Sequence, residues 1–276
     1  MTNLKSDFLQ QYGPWALIAG ASQGLGAAFA GQIAERGLNL VLVARRSEKL
    51  NDLAEHFAEQ YAVQVRVVSL DLSEEGSIGS LVERTSDLEI GLLVYNAAYS
   101  RIGPFFAATL EQHQKEIDTN CRAPLALVYL FGERMLSRKR GGIILMSSLS
   151  SSQGTALISN YSATKAYNLI LAEGLWEELR SKGISVLACC AGATRTPNYL
   201  LSLQRSGAHE RFAAMLPESV AREALAALGK QPSVIPGRSN RLSGFIMRRL
   251  LPRSVAIRFM GKVLRGMYPA ATHELE

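Results

Sequence analysis

A tyrosine and a lysine in the second half of the chain have the spacing of an acid–base pair. Tyr161 and Lys165 are four residues apart, so on a helix both side chains fall on one face, about one turn from each other. A phenol is a poor acid–base catalyst at neutral pH because its pKa is about 10, and a fixed ammonium group beside it lowers that pKa. The pair predicts proton exchange with a substrate oxygen, as in carbonyl–alcohol interconversion. The competing interpretation is a solvated helix face.

A glycine-rich segment near the start of the chain, residues 20–26, reads G-A-S-Q-G-L-G. The apolar run before it predicts a buried strand, and Leu25, Phe29 and Ile33 then recur at helical spacing. Glycines let the backbone approach a pyrophosphate, and the start of a helix offers unpaired N–H groups to phosphates. Outside this context a glycine triplet is more often a loop. We predict a dinucleotide site formed by Gly20, Ser22, Gln23, Gly24, Leu25 and Gly26.

The rest of the chain must position these groups. Its 276 residues are 47% hydrophobic, which is enough for a sizeable core, and strand-like runs alternate with helix-like stretches. This alternation predicts an α/β fold with a doubly wound parallel sheet and helices on both faces. We expect one dinucleotide-binding and catalytic domain over residues 1–235 and a basic helical extension over residues 236–276.

Several classes of protein are disfavoured by the sequence. No apolar run approaches the roughly 18 residues of a spanning helix, and residues 1–11 lack the apolar core of a secretory signal. The three cysteines, Cys121, Cys189 and Cys190, lack metal-binding or redox spacing, so we expect buried thiols and no metal site. A reducing, cytoplasmic location is the corresponding expectation.

Four further short motifs follow apolar runs in order along the chain: Asp71-Leu72, Asn96-Ala97, Ser147-Ser148 and Ala191-Gly192. Together with the glycine segment and the Tyr–Lys pair, this ordered set resembles the short-chain dehydrogenase/reductase family over most of the chain. The amino-acid sequence of residues 36–46 resembles that of the branch that includes 17-beta-hydroxysteroid dehydrogenases and long-chain 3-ketoacyl-CoA reductases. The resemblance implies a single-domain Rossmann-type fold, hydride transfer with a nicotinamide cofactor, and a homodimer or homotetramer.

The resemblance also implies a catalytic tetrad. Ser148 lies 13 residues before Tyr161, and its hydroxyl would hydrogen-bond the substrate oxygen to which Tyr161 gives a proton or from which it takes one. Lys165 would lower the pKa of the tyrosine and hold the nicotinamide ribose. The backbone of Asn120 would hold a water that continues a proton relay. Serine-rich loops and helix-interior asparagines are also common without catalysis.

The cofactor assignment depends on the end of the second predicted strand, which reads Ala44-Arg45-Arg46. NAD-preferring relatives carry an acidic residue there, and Arg45 could instead bind a 2′-phosphate, so we predict NADP(H). The alternative is a pair of solvated cations. The remaining cofactor contacts implied by the resemblance are Asp71 and Leu72 at the adenine, Asn96 and Ala97 at the ribose, and Thr194 and Thr196 after the sixth strand. Asp71 could equally cap a helix.

The substrate is less well specified. Residues 196–216, which follow the sixth strand, are rich in apolar side chains, and they favour an apolar carbonyl or alcohol of the acyl or steroid-like kind. These side chains could equally pack the segment onto the domain. Leu149, Gln153 and Tyr199 are candidate pocket residues. The competing function is a non-catalytic NADP(H)-binding redox sensor or scaffold, against which the intact Ser148, Tyr161 and Lys165 argue.

The C-terminal extension is strongly basic. Residues 238–265 contain eight lysines or arginines and no acid, whereas the whole chain has a net charge of +6. Ala256, Met260, Val263 and Met267 form an apolar stripe on the last predicted helix. Such a helix could lie on an anionic membrane surface, attract an acyl carrier or acyl-CoA, or pack on the domain or a dimer interface. No nucleic-acid motif accompanies the charge.

Overall fold

Seven strands form a single sheet in which every neighbouring pair is parallel. The computed structural model describes residues 2–206 and 214–269. The strands are β1 (Trp15–Ala19), β2 (Asn39–Ala44), β3 (Val65–Ser69), β4 (Ile90–Tyr95), β5 (Gly141–Ser148), β6 (Ile184–Ala191) and β7 (Ser233–Val234).

Helices connect the strands and cover both faces of the sheet, and three of them (α8, α10 and α11) lie over its carboxyl edge. They are α1 (Thr2–Tyr12), α2 (Gly24–Glu35), α3 (Ser47–Tyr61), α4 (Ser77–Glu83), α5 (Leu110–Ile117), α6 (Ala123–Arg138), α7 (Ser159–Leu179), α8 (Pro197–Ser206), α9 (Pro217–Ala227), α10 (Arg238–Phe245) and α11 (Arg253–Met267).

The order of the strands across the sheet is β3-β2-β1-β4-β5-β6-β7. The direction of progress reverses between β1 and β4. In open parallel sheets, ligands bind beyond the carboxyl ends of the strands at such a reversal. The predicted α/β, Rossmann-type doubly wound sheet is therefore confirmed, and the glycine segment after β1 lies at the reversal point.

The strands at the centre of the sheet are mainly apolar because both faces of the sheet are buried there. In β1, Ala16 and Ile18 belong to the core on one face, whereas Leu17 and Ala19 belong to the core on the other. One core contains α2 and α9, and the other contains α6 and α7. The two packed faces hold the carboxyl ends of β1, β4, β5 and β6 in one rigid row.

The C-terminal extension packs on the domain. Ala256 and Met267 of the predicted apolar stripe are only 1% and 7% exposed, and Met260 and Val263 line the large cavity described below. This stripe therefore faces the protein interior, as in the predicted alternative that the helix packs on the domain, and it is not available to a membrane surface. A boundary at residue 235 stays a prediction, and residues 270–276 lie outside the described part. None of the described helices is both long and apolar enough to cross a membrane.

Candidate active site

In the glycine loop after β1, the backbone at the start of helix α2 lies unusually close to the backbone of Gly20. A Cβ on Gly26 would lie 2.0 Å from the carbonyl oxygen of Gly20, and Gly20 itself has a φ of +81°. Helix α2 begins at Gly24, and the residue before it, Gln23, makes no side-chain capping bond. The first N–H groups of α2 thus remain available to an anion at the carboxyl edge of the sheet. Asn96 fixes the loop, since its Nδ2 donates to the carbonyl oxygen of Gly20 at 2.9 Å.

The other predicted cofactor contacts surround this loop. Leu72 is buried, and together with Leu25, Ala97 and Thr194 it lines the same cavity as the glycine loop. Thr196 packs over Gly24, because a Cβ there would lie 2.8 Å from the threonine Cγ2. Gln23 reaches α8, where its Nε2 donates to Asn198 Oδ1 at 2.8 Å.

Two arginines follow β2, and they have different partners. Arg46 Nη2 donates to Ser22 Oγ at 3.2 Å, so its guanidinium lies directly beside the glycine loop. The neighbouring Arg45 reaches the carboxylate of Asp71 at 3.8 Å and is largely exposed. The sequence prediction singled out Arg45. The clearer signal for Arg46 is the serine inside the glycine motif, since a hydroxyl and a guanidinium can together bind a phosphate.

Asp71 forms a local turn and does not cap a helix, which was the alternative to its predicted contact with the adenine. Its Oδ1 accepts the backbone N–H of Ser73 at 3.1 Å and the Ser73 hydroxyl at 2.7 Å, whereas α4 begins only at Ser77. Lys115 Nζ lies 3.4 Å from Oδ2. Although partial burial opposes it, these bonds lower the pKa of Asp71. The carboxylate is therefore held in place at the edge of the cavity.

Ser148, Tyr161 and Lys165 meet where β5 ends beside α7. The Tyr161 hydroxyl hydrogen-bonds to Ser148, and Lys165 Nζ lies 5.6 Å from the centre of the tyrosine ring. Lys165 Nζ also donates to the carbonyl oxygen of Met146 at 3.0 Å. Ser147 ties strand to helix, because its hydroxyl donates to the carbonyl oxygen of Lys165 at 2.7 Å. The structure thus brings together the three residues predicted to act on a substrate oxygen.

Ser150 is a site residue that the sequence analysis did not identify. Its backbone N–H and its hydroxyl both donate to Ser148 Oγ, at 3.2 and 3.0 Å. With these two bonds accepted, the Ser148 hydroxyl can turn its own hydrogen toward a substrate oxygen or Tyr161. The signal in the sequence was the serine cluster itself, in which position alone does not distinguish one hydroxyl from the next.

The proton affinities differ from the sequence-based expectation. Burial raises the pKa of Tyr161 to about 12, although the hydrogen bond with Ser148 opposes the shift. Burial lowers the pKa of Lys165 to about 8. The expectation that the lysine pulls the tyrosine pKa below its usual value is therefore not met, because burial disfavours the charged phenolate and the hydrogen bond with Ser148 offsets only part of that cost.

Asn120 lies in a π-helical turn, residues 118–122, between α5 and α6. Its side chain bonds the loop after β4: Oδ1 accepts the N–H of Tyr99 at 2.9 Å, and Nδ2 donates to the Tyr99 carbonyl oxygen at 2.8 Å. Its backbone carbonyl accepts a bond from Asn168 Nδ2 at 3.0 Å. Asn120 therefore links that loop to α7, and its role in a water relay stays a prediction.

A single cavity of about 1580 Å³ connects the glycine loop to the catalytic residues and continues beneath the C-terminal helices. The predicted pocket residues Leu149, Gln153 and Tyr199 all line it. Phe212, one of the apolar residues of segment 196–216, lies outside the described residues. One wall was not predicted as part of the pocket, and it comes from α11 and the residue after it: Phe259, Met260, Val263, Leu264, Met267 and Tyr268.

The three cysteines are free thiols, and Cys189 and Cys190 are buried in β6. Within residues 2–206 and 214–269, no cluster of three His, Cys, Asp or Glu side chains could hold a metal ion. Hydroxyl, phenol and ammonium groups line the cavity beside the glycine loop.

Comparison with known proteins agrees with this site. Residues 14–201 match the family model described as short chain dehydrogenase, which spans more than half of the 276 residues. The chain belongs to the short-chain dehydrogenase/reductase family. A 7beta-hydroxysteroid dehydrogenase from Collinsella aerofaciens is 33% identical over 93% of this chain and 98% of its own length. A very-long-chain 3-oxoacyl-CoA reductase from Anas platyrhynchos is 30% identical over 91% of this chain and 80% of its own. These relatives confirm the predicted branch.

Two solved structures are also similar. A structure reported for 7beta-hydroxysteroid dehydrogenase stereoselectivity has a TM-score of 0.85 at 31% identity and covers 92% of this chain and 99% of its own. A short-chain dehydrogenase from Sphingobium yanoikuyae in complex with NADPH has a TM-score of 0.74 at 30% identity, and it covers 86% of this chain and 94% of its own. Family and fold together establish an oxidoreductase site for carbonyl–alcohol interconversion.

Proposed function

We propose that this protein is an NADP(H)-dependent oxidoreductase that interconverts a bulky lipophilic ketone and its secondary alcohol. The observation that carries the proposal is the single cavity, which holds Ser148, Tyr161 and Lys165 between a phosphate-binding loop and an apolar wall. When bound, the cofactor would supply or accept the hydride, and the protein supplies position and protons. The non-catalytic sensor or scaffold stays the competing function.

In the proposed reaction, each catalytic side chain has one task. Ser148 donates a hydrogen bond to the substrate oxygen, while the Ser148 oxygen itself accepts the two hydrogen bonds from Ser150. Tyr161 gives its proton to that oxygen during reduction and takes it back during oxidation. At neutral pH a phenol whose pKa is raised to about 12 holds its proton, which is the state that reduction needs. Lys165, with its pKa lowered to about 8, remains mostly charged and would hold the nicotinamide ribose.

The preference for NADP(H) is supported by the charges beside the glycine loop. Ala44, and not an acidic residue that would repel a 2′-phosphate, stands at the end of β2, and Arg46 already contacts Ser22. A charge-assisted bond to phosphate is stronger than a neutral one, and Arg presents a planar donor face to it. The NADPH complex of the relative from Sphingobium yanoikuyae agrees with this preference.

We predict that Arg46→Ala weakens NADPH binding about tenfold, since a hydrogen bond to a charged group is worth about 1.5–3 kcal/mol when shielded and less at this exposed edge. NADH binding should change little. Arg45→Ala is the matched control, because Arg45 is directed to Asp71. The NADPH affinity of this variant should fall less than that of Arg46→Ala. Fluorescence titrations of the three proteins with both cofactors measure these effects. Equal losses in the two variants would contradict the assignment to Arg46.

The apolar wall supports a lipophilic substrate. Phe259, Met260, Val263 and Leu264 face the cavity from α11, opposite the catalytic residues. Methionine fits irregular apolar shapes well, because its side chain is unbranched and flexible. Relatives named for hydroxysteroids and very-long-chain acyl groups agree with a large substrate. The test is turnover of bulky against small ketones at equal concentration.

We further propose that the protein is a homodimer or homotetramer in the cytoplasm. The outer faces of α6 and α7 expose large apolar side chains, which are unusual on a free surface when clustered. They are Leu125, Tyr129, Tyr167 and Ile170, at 46%, 67%, 36% and 65% exposure. These are the helices through which relatives often pair. Analytical ultracentrifugation tests the proposal, and charged substitution of Tyr129 and Ile170 should give monomers.

The outer side of the C-terminal helices supports contact with an anionic membrane surface or an anionic acyl carrier. Exposed cations alternate there with exposed apolar side chains beside the cavity, as expected for an interfacial surface. The cations are Arg248, Arg249, Arg253, Arg258, Lys262 and Arg265, and the apolar residues are Leu242, Phe245, Leu250 and Val255. This outward side differs from the apolar stripe predicted from the sequence.

We predict that the protein co-sediments with anionic vesicles at low salt, and that Arg258→Glu with Lys262→Glu weakens binding about tenfold or more. The control pair is Lys49→Glu with Arg84→Glu, which changes the net charge by the same amount as the test pair. Lys49 lies on α3 and Arg84 just after α4, away from the C-terminal helices. No sedimentation of the unaltered protein would contradict membrane contact. Equal weakening by the control pair would mean that net charge alone, and not this surface, attracts the vesicles.

A further inference from the structure

An asparagine from the C-terminal extension lies against the loop that follows β6. A Cβ on Gly192 would lie 2.7 Å from Nδ2 of Asn240 and 2.9 Å from its Cγ and Oδ1. The side-chain amide of Asn240 therefore occupies the space that any other residue at position 192 would need for its Cβ. Both residues line the large cavity. Asn240 belongs to α10, beyond residues 14–201 that match the family model.

The hydrogen bonds of Asn240 determine which end of its amide is free. Nδ2 donates to the carbonyl oxygen of Pro236 at 2.9 Å, and the sulfur of Met215 lies 3.4 Å from Nδ2. A carbonyl oxygen only accepts, so the end of the amide that faces it must be the NH2 group. Oδ1 accepts no hydrogen bond from residues 2–206 or 214–269. Asn240 thus presents an oriented acceptor on a side chain that lines the cavity.

The loop after β6 connects the catalytic end of the cavity to its phosphate-binding end. Ala191, the last residue of β6, is paired in register with Ser148. Five residues later, Thr196 packs over the first residue of α2. Hydride transfer requires the nicotinamide at the Ser148 end, within contact distance of the substrate carbon. Gly192 immediately follows Ala191, so the amide that covers it lies at this reacting end.

We propose that Asn240 binds the carboxamide group of the nicotinamide, with Oδ1 accepting a hydrogen bond from the carboxamide NH2. The nicotinamide carries no other N–H or O–H group, so this is the donor that an acceptor at the reacting end can recognise. The C-terminal extension thereby completes the cofactor site that the glycine loop begins. The inference rests on the nicotinamide cofactor of the proposed function. It does not depend on the preference for NADP(H), because NAD(H) carries the same carboxamide.

The test compares two cofactors that differ only at the carboxamide. NADP⁺ carries the NH2 donor, whereas 3-acetylpyridine adenine dinucleotide phosphate carries a methyl group in its place. Asn240→Ala should weaken NADP⁺ binding about three- to tenfold, which is the loss expected for one hydrogen bond between neutral groups. Binding of the acetylpyridine analogue should weaken less than about twofold, because it makes no such bond. Isothermal titration calorimetry measures both dissociation constants without turnover.

Two further variants separate the hydrogen bond from packing. Asn240→Leu keeps a side chain of similar shape over Gly192 and should show the same selective loss. Asn51→Ala makes the same chemical change at an exposed position of α3, and it should leave both dissociation constants unchanged.

Equal weakening of both cofactors by Asn240→Ala and Asn240→Leu would mean that the amide only supports the loop after β6, and it would overturn the proposal. Unchanged NADP⁺ binding in the two variants would overturn it as well. Binding of neither cofactor by the unaltered protein would instead contradict the proposed function on which the inference rests.

Discussion

Tyr161→Phe should reduce turnover by about 10²–10⁴-fold and leave cofactor affinity unchanged. The phenol hydroxyl is the group that hydrogen-bonds to Ser148 and exchanges a proton with the substrate oxygen, and general acid–base catalysis typically contributes a factor of this size. Phenylalanine fills the same space, so the cavity and the glycine loop keep their shape. The measurement is steady-state oxidation of NADPH with a ketone substrate, beside a fluorescence titration with NADPH.

Tyr167→Phe is the matched control for this variant. Tyr167 lies on the same helix, α7, but on its outer side, where it is 36% exposed. Removal of its hydroxyl should change turnover less than about twofold, within the ordinary range of a surface substitution. Equal turnover by Tyr161→Phe and the unaltered protein would contradict the assignment of the proton donor. Tight NADPH binding without turnover in the unaltered protein would favour the sensor or scaffold.

Gly26→Ala should reduce NADPH affinity at least about tenfold and lower the midpoint of thermal unfolding. A Cβ at this position would lie 2.0 Å from the carbonyl oxygen of Gly20, so α2 must move away from the loop that it completes. Overpacking of this kind typically costs about 1–3 kcal/mol, and here the displaced group is backbone, which cannot rotate away. The N–H groups that face the phosphates move with the helix.

The matched control is Gly174→Ala on α7, where an added Cβ meets no atom within 4 Å. Replacing glycine by alanine inside a helix stabilises it by about 0.5–1 kcal/mol, so this variant should unfold at an equal or higher temperature. NADPH binding should be unchanged. Full NADPH affinity in a folded Gly26→Ala protein would contradict the close approach of α2 to the loop.

The positions of the strands and of the catalytic residues could be predicted because local chemistry determines them. Residues 15–19 form β1 as predicted, since a strand buried on both faces must be apolar throughout. Tyr161 and Lys165 share a helix face because four residues make about one turn. Ser148 lies within reach of Tyr161 because its strand, β5, packs against α7.

Other features depended on contacts distant in sequence. Arg45 and Arg46 are adjacent and chemically equal, and only the position of Ser22 after folding distinguishes them. The apolar stripe of α11 had the pattern of a membrane-facing helix, and periodicity alone does not reveal that the stripe lines a cavity. The prediction that the pKa of Tyr161 is lowered was wrong for a similar reason. Spacing predicted the ammonium beside the phenol, but the degree of burial is set by the whole fold.

The most direct test of the central claim is NADPH oxidation by the purified protein with a panel of ketones that ranges from small aliphatic to polycyclic. The account predicts turnover that rises with the size of the apolar ketone, and at least tenfold higher kcat/KM with NADPH than with NADH, which corresponds to about 1.4 kcal/mol. Turnover confined to small polar ketones, or a preference for NADH, would contradict it.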